Sequence, residues 1–254
     1  MLSRNLLRQK GLYNSFRSFS AVTERPDVFM DIKGHGFLPN KKPLTELPSQ
    51  FQSLDQMLNA MTYWQDGSET GLLAKNQLRS SVDTDLPDFM SEIQKVDVND
   101  YRVNAALFRD YSMLSSAYLL EDCHINYRKT GDYGIGMDYL PEKLAMPMKY
   151  LADRINYKQP LLEYAYGYAL HNWKLKNDSN PESGEYNNEE IMPDIEKPVG
   201  NLELIRKFNG CVDEHGFVLI HVAIVSLTHK QADAHDKMFR GAAAKDRKLM
   251  DEGI

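Results

Sequence analysis

The stretch QPLLEYAYGYALHNWKLK, residues 159–176, carries the pattern that decides the fold of this chain. Pro160 stands at a first-turn position, where the N–H that proline lacks would have no intrahelical partner. Five later residues recur at spacings of three and four, which places them on one helical face: Leu161, Tyr164, Tyr168, His171 and Leu175. This amphipathic spacing predicts a helix over the whole stretch.

The same spacing recurs on both sides of this stretch. It is clearest over residues 99–121, where apolar and aromatic residues follow a helical repeat from Leu107 to Tyr118. Asn99 or Asp100 would cap the start of that helix. In all, the spacing predicts helices over 51–80, 99–121, 141–152, 159–176, 201–209, 216–230 and, as a charged C-terminal helix, 231–254. No segment shows the two-residue alternation of a strand, so we predict an all-α fold class.

Composition marks the segments between and before these helices. Residues 23–50 are rich in proline and glycine, which predicts an extended N-terminal arm with little regular structure. Residues 177–200 hold seven acidic residues and almost no apolar ones, which predicts an exposed, mobile loop. We therefore expect one helical domain over 51–230, interrupted by this acidic loop.

The charge of the chain is unevenly distributed. Its 254 residues carry a formal net charge of −6, yet residues 1–22 hold four basic residues and no acidic one. The acidic body argues against nucleic acid as a partner, because phosphate binding needs a basic surface. Two cysteines are too few for a disulfide framework. The most apolar run, residues 217–227, would be about 16 Å long as a helix, too short to span a bilayer core of about 30 Å.

The N-terminal segment has the composition of a mitochondrial transit peptide. Residues 1–22 are rich in Arg and Ser, lack acidic residues, and can place leucines and arginines on different faces of a helix. Such a segment is drawn into mitochondria by the membrane potential. The alternative is a disordered basic tail. We expect a mitochondrial location, in the matrix or at the matrix face of the inner membrane.

His221 is the histidine that lies inside an apolar run. Phe217 and Ile224 stand four residues before it and three after it, so the three side chains share one helical face. His221 is then either a core histidine bonded to a carbonyl or a pocket group aimed at a ligand. The other histidines show no metal-ligand or catalytic spacing beyond the weak pairs His229 with Asp233 and His235 with Asp236, so we predict no metal site and no catalytic residue.

Several short motifs stand in a fixed order along the chain: Gly36-Phe37-Leu38-Pro39, Leu140-Pro-x-x-Leu-Ala-x-Pro147, Pro160-Leu161-Leu162 and Asn172-Trp173-Lys174. With these motifs, residues 30–228 resemble the indoleamine 2,3-dioxygenase family. The resemblance implies an all-helical fold whose members bind haem and insert both atoms of O₂ into the indole ring of tryptophan.

The resemblance places three residues of this chain on the distal side of the family's haem pocket. Tyr118 corresponds to an aromatic residue that borders the indole, and Phe217 corresponds to the aromatic residue above the haem. His221 stands where the family usually has a small residue such as Ser. An imidazole there would shrink the pocket. His171 has no role in the family.

The family's chains continue through further helices that carry the proximal haem-ligating His, an Arg for the substrate carboxylate and a Gly/Ser-rich loop. The resemblance therefore implies a C-terminally truncated domain without a proximal ligand, and we expect no cofactor, with haem b as the alternative. It also implies exposed apolar faces on the helices that contain Leu107–Tyr118, Leu161–Leu175 and Phe217–Leu227. We expect other subunits to cover these faces.

These observations leave three hypotheses open. The first is a pseudoenzyme that serves as a non-catalytic accessory subunit of a mitochondrial complex, in the respiratory chain or the ATP synthase. The second is a haem-dependent dioxygenase in which His221 or His229 ligates iron. The third is an indole-binding module that keeps half a pocket around Tyr118 and Phe217.

Overall fold

The structure is a computed structural model that describes residues 32–157, 164–178 and 180–254. The targeting segment predicted over 1–22 lies outside the described residues, and so does the first part of the predicted arm. The described part of the arm contains one helical turn and a 3₁₀ turn at Ser49–Phe51.

The described residues are mainly helical, which confirms the predicted fold class. The helices are α1 (Ile32–His35), α2 (Gln52–Met61), α3 (Leu72–Lys75), α4 (Leu78–Asp85), α5 (Met90–Lys95), α6 (Tyr101–Thr130), α7 (Glu142–Arg154), α8 (Asn188–Ile191), α9 (Val212–Ser226), α10 (Thr228–Ala244) and α11 (Arg247–Asp251). A π-helical segment (Tyr164–Leu170) and two short strands, β1 (Trp173–Leu175) and β2 (Leu202–Leu204), complete the described elements.

Helix α6 is the longest element and forms the centre of the fold. Its start is capped as predicted, because the Asp100 carboxylate accepts a hydrogen bond of 3.2 Å from Val103 N. It ends at Gly131, which takes a left-handed φ of 77°. The helix runs nine residues beyond the predicted end, through a polar stretch that has no apolar repeat to reveal it. Residues 103–115 are buried throughout, so the expectation of an exposed apolar face here is wrong.

The buried apolar residues form two clusters. The first lies among α2, α4, α5, α6 and α7, with Phe51, Leu107 and Leu151 at its centre. The second lies among β1, β2, α8 and α9, with Trp173 and Val218 fully buried. Helix α9 packs against both the π-helical segment and β2.

A two-stranded antiparallel sheet replaces the end of one predicted helix and the whole of another. β1 and β2 pair with Trp173 opposite Leu204. The helix predicted over 159–176 is therefore replaced by a π-helical segment that ends at Leu170, and the helix predicted over 201–209 is wrong. Asn172 provides the physical reason. Its side-chain amide accepts from Arg206 N at 2.7 Å and donates to Arg206 O at 2.9 Å, which extends the pairing of the two strands. This contact spans 34 residues and is invisible to local periodicity.

The predicted helix over 51–80 is also divided. Helix α2 ends at Met61, and the chain turns through Asp66 and Gly67, both of which have positive φ. Gly71 then passes so close to Thr62 O that a Cβ would collide with that oxygen. The glycine therefore permits a tight return that ends one helix and begins the next.

The acidic segment 177–200 is less open than its composition predicts. Within it, α8 begins with a capping box formed by Asn187 and Glu190. Tyr186 and Ile191 are buried in the second cluster, and Tyr186 donates its hydroxyl to Pro39 O. These two buried apolar side chains anchor a segment that is otherwise mostly polar.

The C-terminal region also differs from its prediction. The helix predicted over 216–230 begins at Val212 and ends at Ser226. The tail predicted as one charged helix forms two, because Lys245 takes a left-handed φ of 56° and α11 folds back along α10. Gly241 allows this contact, since a Cβ there would lie 2.6 Å from the Met250 side chain.

The burial of Trp173 generates a prediction about stability. Its side chain is fully buried, its Nε1 donates to Leu170 O at 2.8 Å, and its ring meets Tyr186 edge-on. We expect Trp173→Ala to lower the free energy of unfolding by about 3–5 kcal/mol, measured by urea denaturation followed by far-ultraviolet circular dichroism. Trp64→Ala, at a tryptophan that is 39% exposed, is the matched control and should cost about 1 kcal/mol or less. Equal losses of free energy of unfolding in the two variants would contradict the burial of Trp173 in the second cluster.

Candidate functional site

The sequence-predicted site residues Phe217 and His221 lie on helix α9. The Glu214 carboxylate fixes the start of this helix by accepting hydrogen bonds from three consecutive backbone N–H groups, at residues 208–210. One face of α9 is buried in the second cluster through Val218, Leu219 and Val222. The opposite face carries Phe217 and Ile224, each 58% exposed. We call the surface formed by Phe217, His221 and Ile224 the α9 face.

His221 is held against Phe217. Its Nδ1 donates to Phe217 O at 2.7 Å, and the two ring centroids are 5.4 Å apart at an interplanar angle of 67°. The imidazole therefore has the expected carbonyl partner, but it stands on the partly exposed side of the helix instead of in a core. One turn of α9 thus presents a phenyl ring and an imidazole as a unit.

Tyr118 occupies a different environment from the other two predicted site residues. It is buried in the first cluster on α6, and its hydroxyl donates to the Asp83 carboxylate at 3.1 Å. Burial and this carboxylate raise the pKa of Tyr118. The structure brings Phe217 and His221 together, whereas Tyr118 is engaged by Asp83 and by the Arg79 guanidinium, 5.8 Å from its ring centroid. Its role at an indole pocket stays a prediction.

The structure also contains a buried network of charged groups that the sequence analysis missed. Asp110 Oδ1 accepts from Arg109 Nε at 2.7 Å and from Arg206 Nε at 3.2 Å, and Asp110 Oδ2 accepts from Arg206 Nη2 at 2.9 Å. Arg206 also pairs with Asp55 of α2. Arg109 and Asp110 are fully buried, and Arg206 is 3% exposed. We call these four residues the charge network.

The network fixes the charge states of its members. Burial alone would raise the pKa of Asp110, but Arg109 and Arg206 outweigh it and hold that pKa below its usual value. Burial likewise opposes the charge of Arg206, but Asp110 and Asp55 raise its pKa. For Arg109, which shares its carboxylate with Arg206, burial dominates and lowers the pKa. Among Arg109, Asp110 and Arg206, Arg109 is thus the member whose pKa is shifted against its charge. The sequence signal was an Arg-Asp pair inside an otherwise apolar helical repeat.

His171 lies beside this network and is 5% exposed. Its backbone carbonyl accepts from Arg109 Nη1 at 3.1 Å. Burial, together with the neighbouring Arg109 charge, lowers the pKa of its imidazole to about 3. The ring is consequently neutral at physiological pH.

His229 and Asp233, which formed one of the weak candidate metal pairs, make other contacts in the structure. His229 Nδ1 lies 2.7 Å from Ser226 O and 2.8 Å from Asn188 Nδ2, and Asp233 pairs with Lys237. The described residues hold no cluster of three or more His, Cys, Asp or Glu side chains with the geometry of a metal site. Within the same ranges, no helix combines the length and apolar character that crossing a bilayer requires.

Comparison with known protein families gives one match. The family model described as indoleamine 2,3-dioxygenase matches residues 28–252, which is most of the chain. The chain belongs to the indoleamine 2,3-dioxygenase family. None of the curated proteins matches it at a significant level.

The family's cofactor can be tested against the α9 face. Exposed Phe217 and Ile224 side chains offer an apolar surface of the kind that a porphyrin face requires. His221 adds between them a ring that is hydrogen-bonded to Phe217 O. At the position that the resemblance gives it, such a ring would reduce the room for a substrate above a haem, and this correspondence stays a prediction.

The environment of His171 generates a prediction about pH. The unfolded state takes up a proton near pH 6.5, whereas the folded state does so only near pH 3. The contribution of the neutral His171 ring to the free energy of unfolding is therefore fully present above about pH 6.5. It is lost as the pH falls towards 3, by up to about 1.4 kcal/mol per pH unit. We expect His171→Gln to flatten this acid slope in urea denaturation series, while the two curves run parallel above neutral pH. An unchanged slope would show that the imidazole does not remain neutral in the folded protein.

Proposed function

We propose that this member of the indoleamine 2,3-dioxygenase family is a non-catalytic accessory subunit of a mitochondrial multiprotein complex, in the respiratory chain or the ATP synthase. In this proposal, a neighbouring subunit covers the α9 face. The α9 face is the observation that carries the proposal.

The chemistry of the α9 face supports a protein partner. Phe217 and Ile224 are each 58% exposed and lie two turns apart on the same side of one helix. Burying the exposed parts of two such side chains is worth about 1–2 kcal/mol each, at ~25 cal/mol per Å². A rigid helix face with adjacent aromatic and aliphatic groups suits packing against a helix of another subunit.

His221 supports a non-catalytic role. A dioxygenase must hold O₂ and an indole above the same small region of its distal wall. Here that position carries an imidazole fixed by a hydrogen bond of 2.7 Å to Phe217 O. The ring takes up volume that a substrate would need, and it gives the face a polar group for an interface instead.

The composition of residues 1–22 supports the mitochondrial assignment. Four basic and no acidic residues stand in a segment rich in serine and leucine, followed by a body of net charge −10. This contrast is the pattern of an imported protein.

Native electrophoresis of isolated mitochondria tests the proposal. The tagged wild-type chain should migrate with a large complex, because the α9 face is buried in the assembly. Ile224→Glu should release it, since a carboxylate at the interface would be desolvated without a partner. Ile195→Glu is the matched control, because Ile195 is 80% exposed on the acidic segment. We expect it to migrate as the wild type does.

Three results would overturn the proposal. The first is a wild-type chain that migrates as a free species in mitochondria. The second is a chain that is absent from mitochondria. The third is an Ile224→Glu variant that stays in the complex as firmly as Ile195→Glu.

A haem protein is the second candidate, because the exposed Phe217 side chain offers an apolar surface to a porphyrin. If the proposed function is right, haemin added to the purified chain should give no Soret band of ligated haem and no ferrous–CO spectrum. His221→Ser, which restores the small residue, should leave this negative result unchanged. A saturable Soret band in the wild type that disappears in His221→Ala or His229→Ala would establish haem ligation instead.

A further inference from the structure

A cavity of about 330 Å³ lies between the chain segment 39–44 and the first turns of α6. Its lining includes Arg102, Ala105 and Arg109 from α6, Leu44 from the arm, and His171 from the turn before β1. The volume is at the lower end of the range for small-molecule sites. Roughly ten non-hydrogen atoms would fill it, at about 30 Å³ each.

Arg109 is the unusual member of this lining. Its Nε is bonded to Asp110, and its Nη1 donates to Leu44 O at 3.0 Å and to His171 O at 3.1 Å. Its Nη2 is buried and has no acceptor within the described part of the chain. A buried guanidinium nitrogen without an acceptor is costly, and native proteins rarely leave one.

The charge network, which is neutral as a whole, ends beside this cavity with Arg109, whose Nη2 lacks an acceptor among the described residues although Nε is paired with Asp110. Asp55, Arg206, Asp110 and Arg109 follow one another with alternating sign, and Arg109 is the last. An anion beside Arg109 would continue the alternation and would give Nη2 its acceptor. His171 does not compete for this anion as a second cation, because its imidazole stays neutral.

The other charged groups of the lining have partners. The Arg102 guanidinium donates to the carbonyls of Lys42 and Glu182. Burial lowers the pKa of Arg102, and the nearby carboxylates of Asp100 and Asp178 oppose this shift. Asp100, the carboxylate in the lining, already accepts from Val103 N as the cap of α6. Lys42 is paired with Asp178.

The rest of the wall is apolar. Two prolines, Leu44 and two alanines of α6 contribute most of it. We propose that this cavity binds a small carboxylate with an apolar body, one of whose oxygens accepts a hydrogen bond from Arg109 Nη2. The carboxylate supplies the missing hydrogen-bond acceptor, and the apolar body fills the space beside Ala105. This site goes beyond the proposed docking function and uses none of the residues of the α9 face.

Binding of 3-phenylpropionate to the full-length chain tests the inference by isothermal titration calorimetry. This probe has a carboxylate and an apolar body of the required size, and 3-phenylpropionamide is its neutral isostere. We expect the acid to bind at least about tenfold more tightly, because a charged carboxylate oxygen makes a stronger hydrogen bond to a guanidinium than a neutral amide oxygen does. Inorganic phosphate, which carries charge without an apolar body, should bind more weakly than the acid.

Two substitutions on α6 form a matched pair. Ala105→Leu fills this cavity, whereas Ala117→Leu adds the same side chain at the second cavity, beside Leu120 and His124. Both alanines are buried, at 4% and 5% exposure. We expect Ala105→Leu to abolish binding of 3-phenylpropionate and Ala117→Leu to preserve it. Arg109→Lys, which keeps the charge and loses Nη2, should weaken binding about tenfold.

The inference is overturned if the wild type binds no 3-phenylpropionate up to about 10 mM, or if acid and amide bind equally. It is also overturned if Ala105→Leu binds as the wild type does. Arg109→Lys removes part of a buried network and can unfold the chain, but the pair at Ala105 and Ala117 leaves that network intact and decides the question.

Discussion

The shared carboxylate of Asp110 is the interaction on which the rest of this structure depends. It lies in the first third of α6, is fully buried, and accepts hydrogen bonds from Arg109 and Arg206. Because Arg206 follows β2 and pairs with Asp55 of α2, one carboxylate connects three elements that are far apart in sequence. Removing one partner from such a buried group typically costs 3–5 kcal/mol, since the remaining charge stays in a medium of low polarity.

The charge network also joins the two apolar clusters. Arg109 donates to the carbonyls of Leu44 and His171, and the backbone of Arg206 pairs with the Asn172 side chain. These contacts fix where the arm crosses α6 and where β1 begins. The β1–β2 sheet in turn provides part of the surface on which the buried face of α9 packs. The orientation of the α9 face therefore follows from charged groups several elements away.

The α9 face is the outer end of this set of contacts, and the cavity beside Arg109 is its inner end. The two ends have different chemistry. At the outer end, α9 presents Phe217 and Ile224 with the imidazole of His221 between them, a combination suited to contact with another protein. At the inner end, Arg109 stands beside a cavity with one unsatisfied nitrogen. The family of this chain is established by its match to the indoleamine 2,3-dioxygenase model.

The sequence by itself determined the helical class, a cap of α6 at Asn99 or Asp100, the family and the shared face of Phe217, His221 and Ile224. Each of these follows from local spacing or from short motifs. Only the tertiary structure decided that residues 173–175 and 202–204 form strands, that Tyr118 bonds to Asp83, and that Arg109 ends a charge network at a cavity. Strand pairing and the burial of charge depend on partners dozens of residues away, and a periodic pattern along one segment contains no information about the segment that will lie across from it.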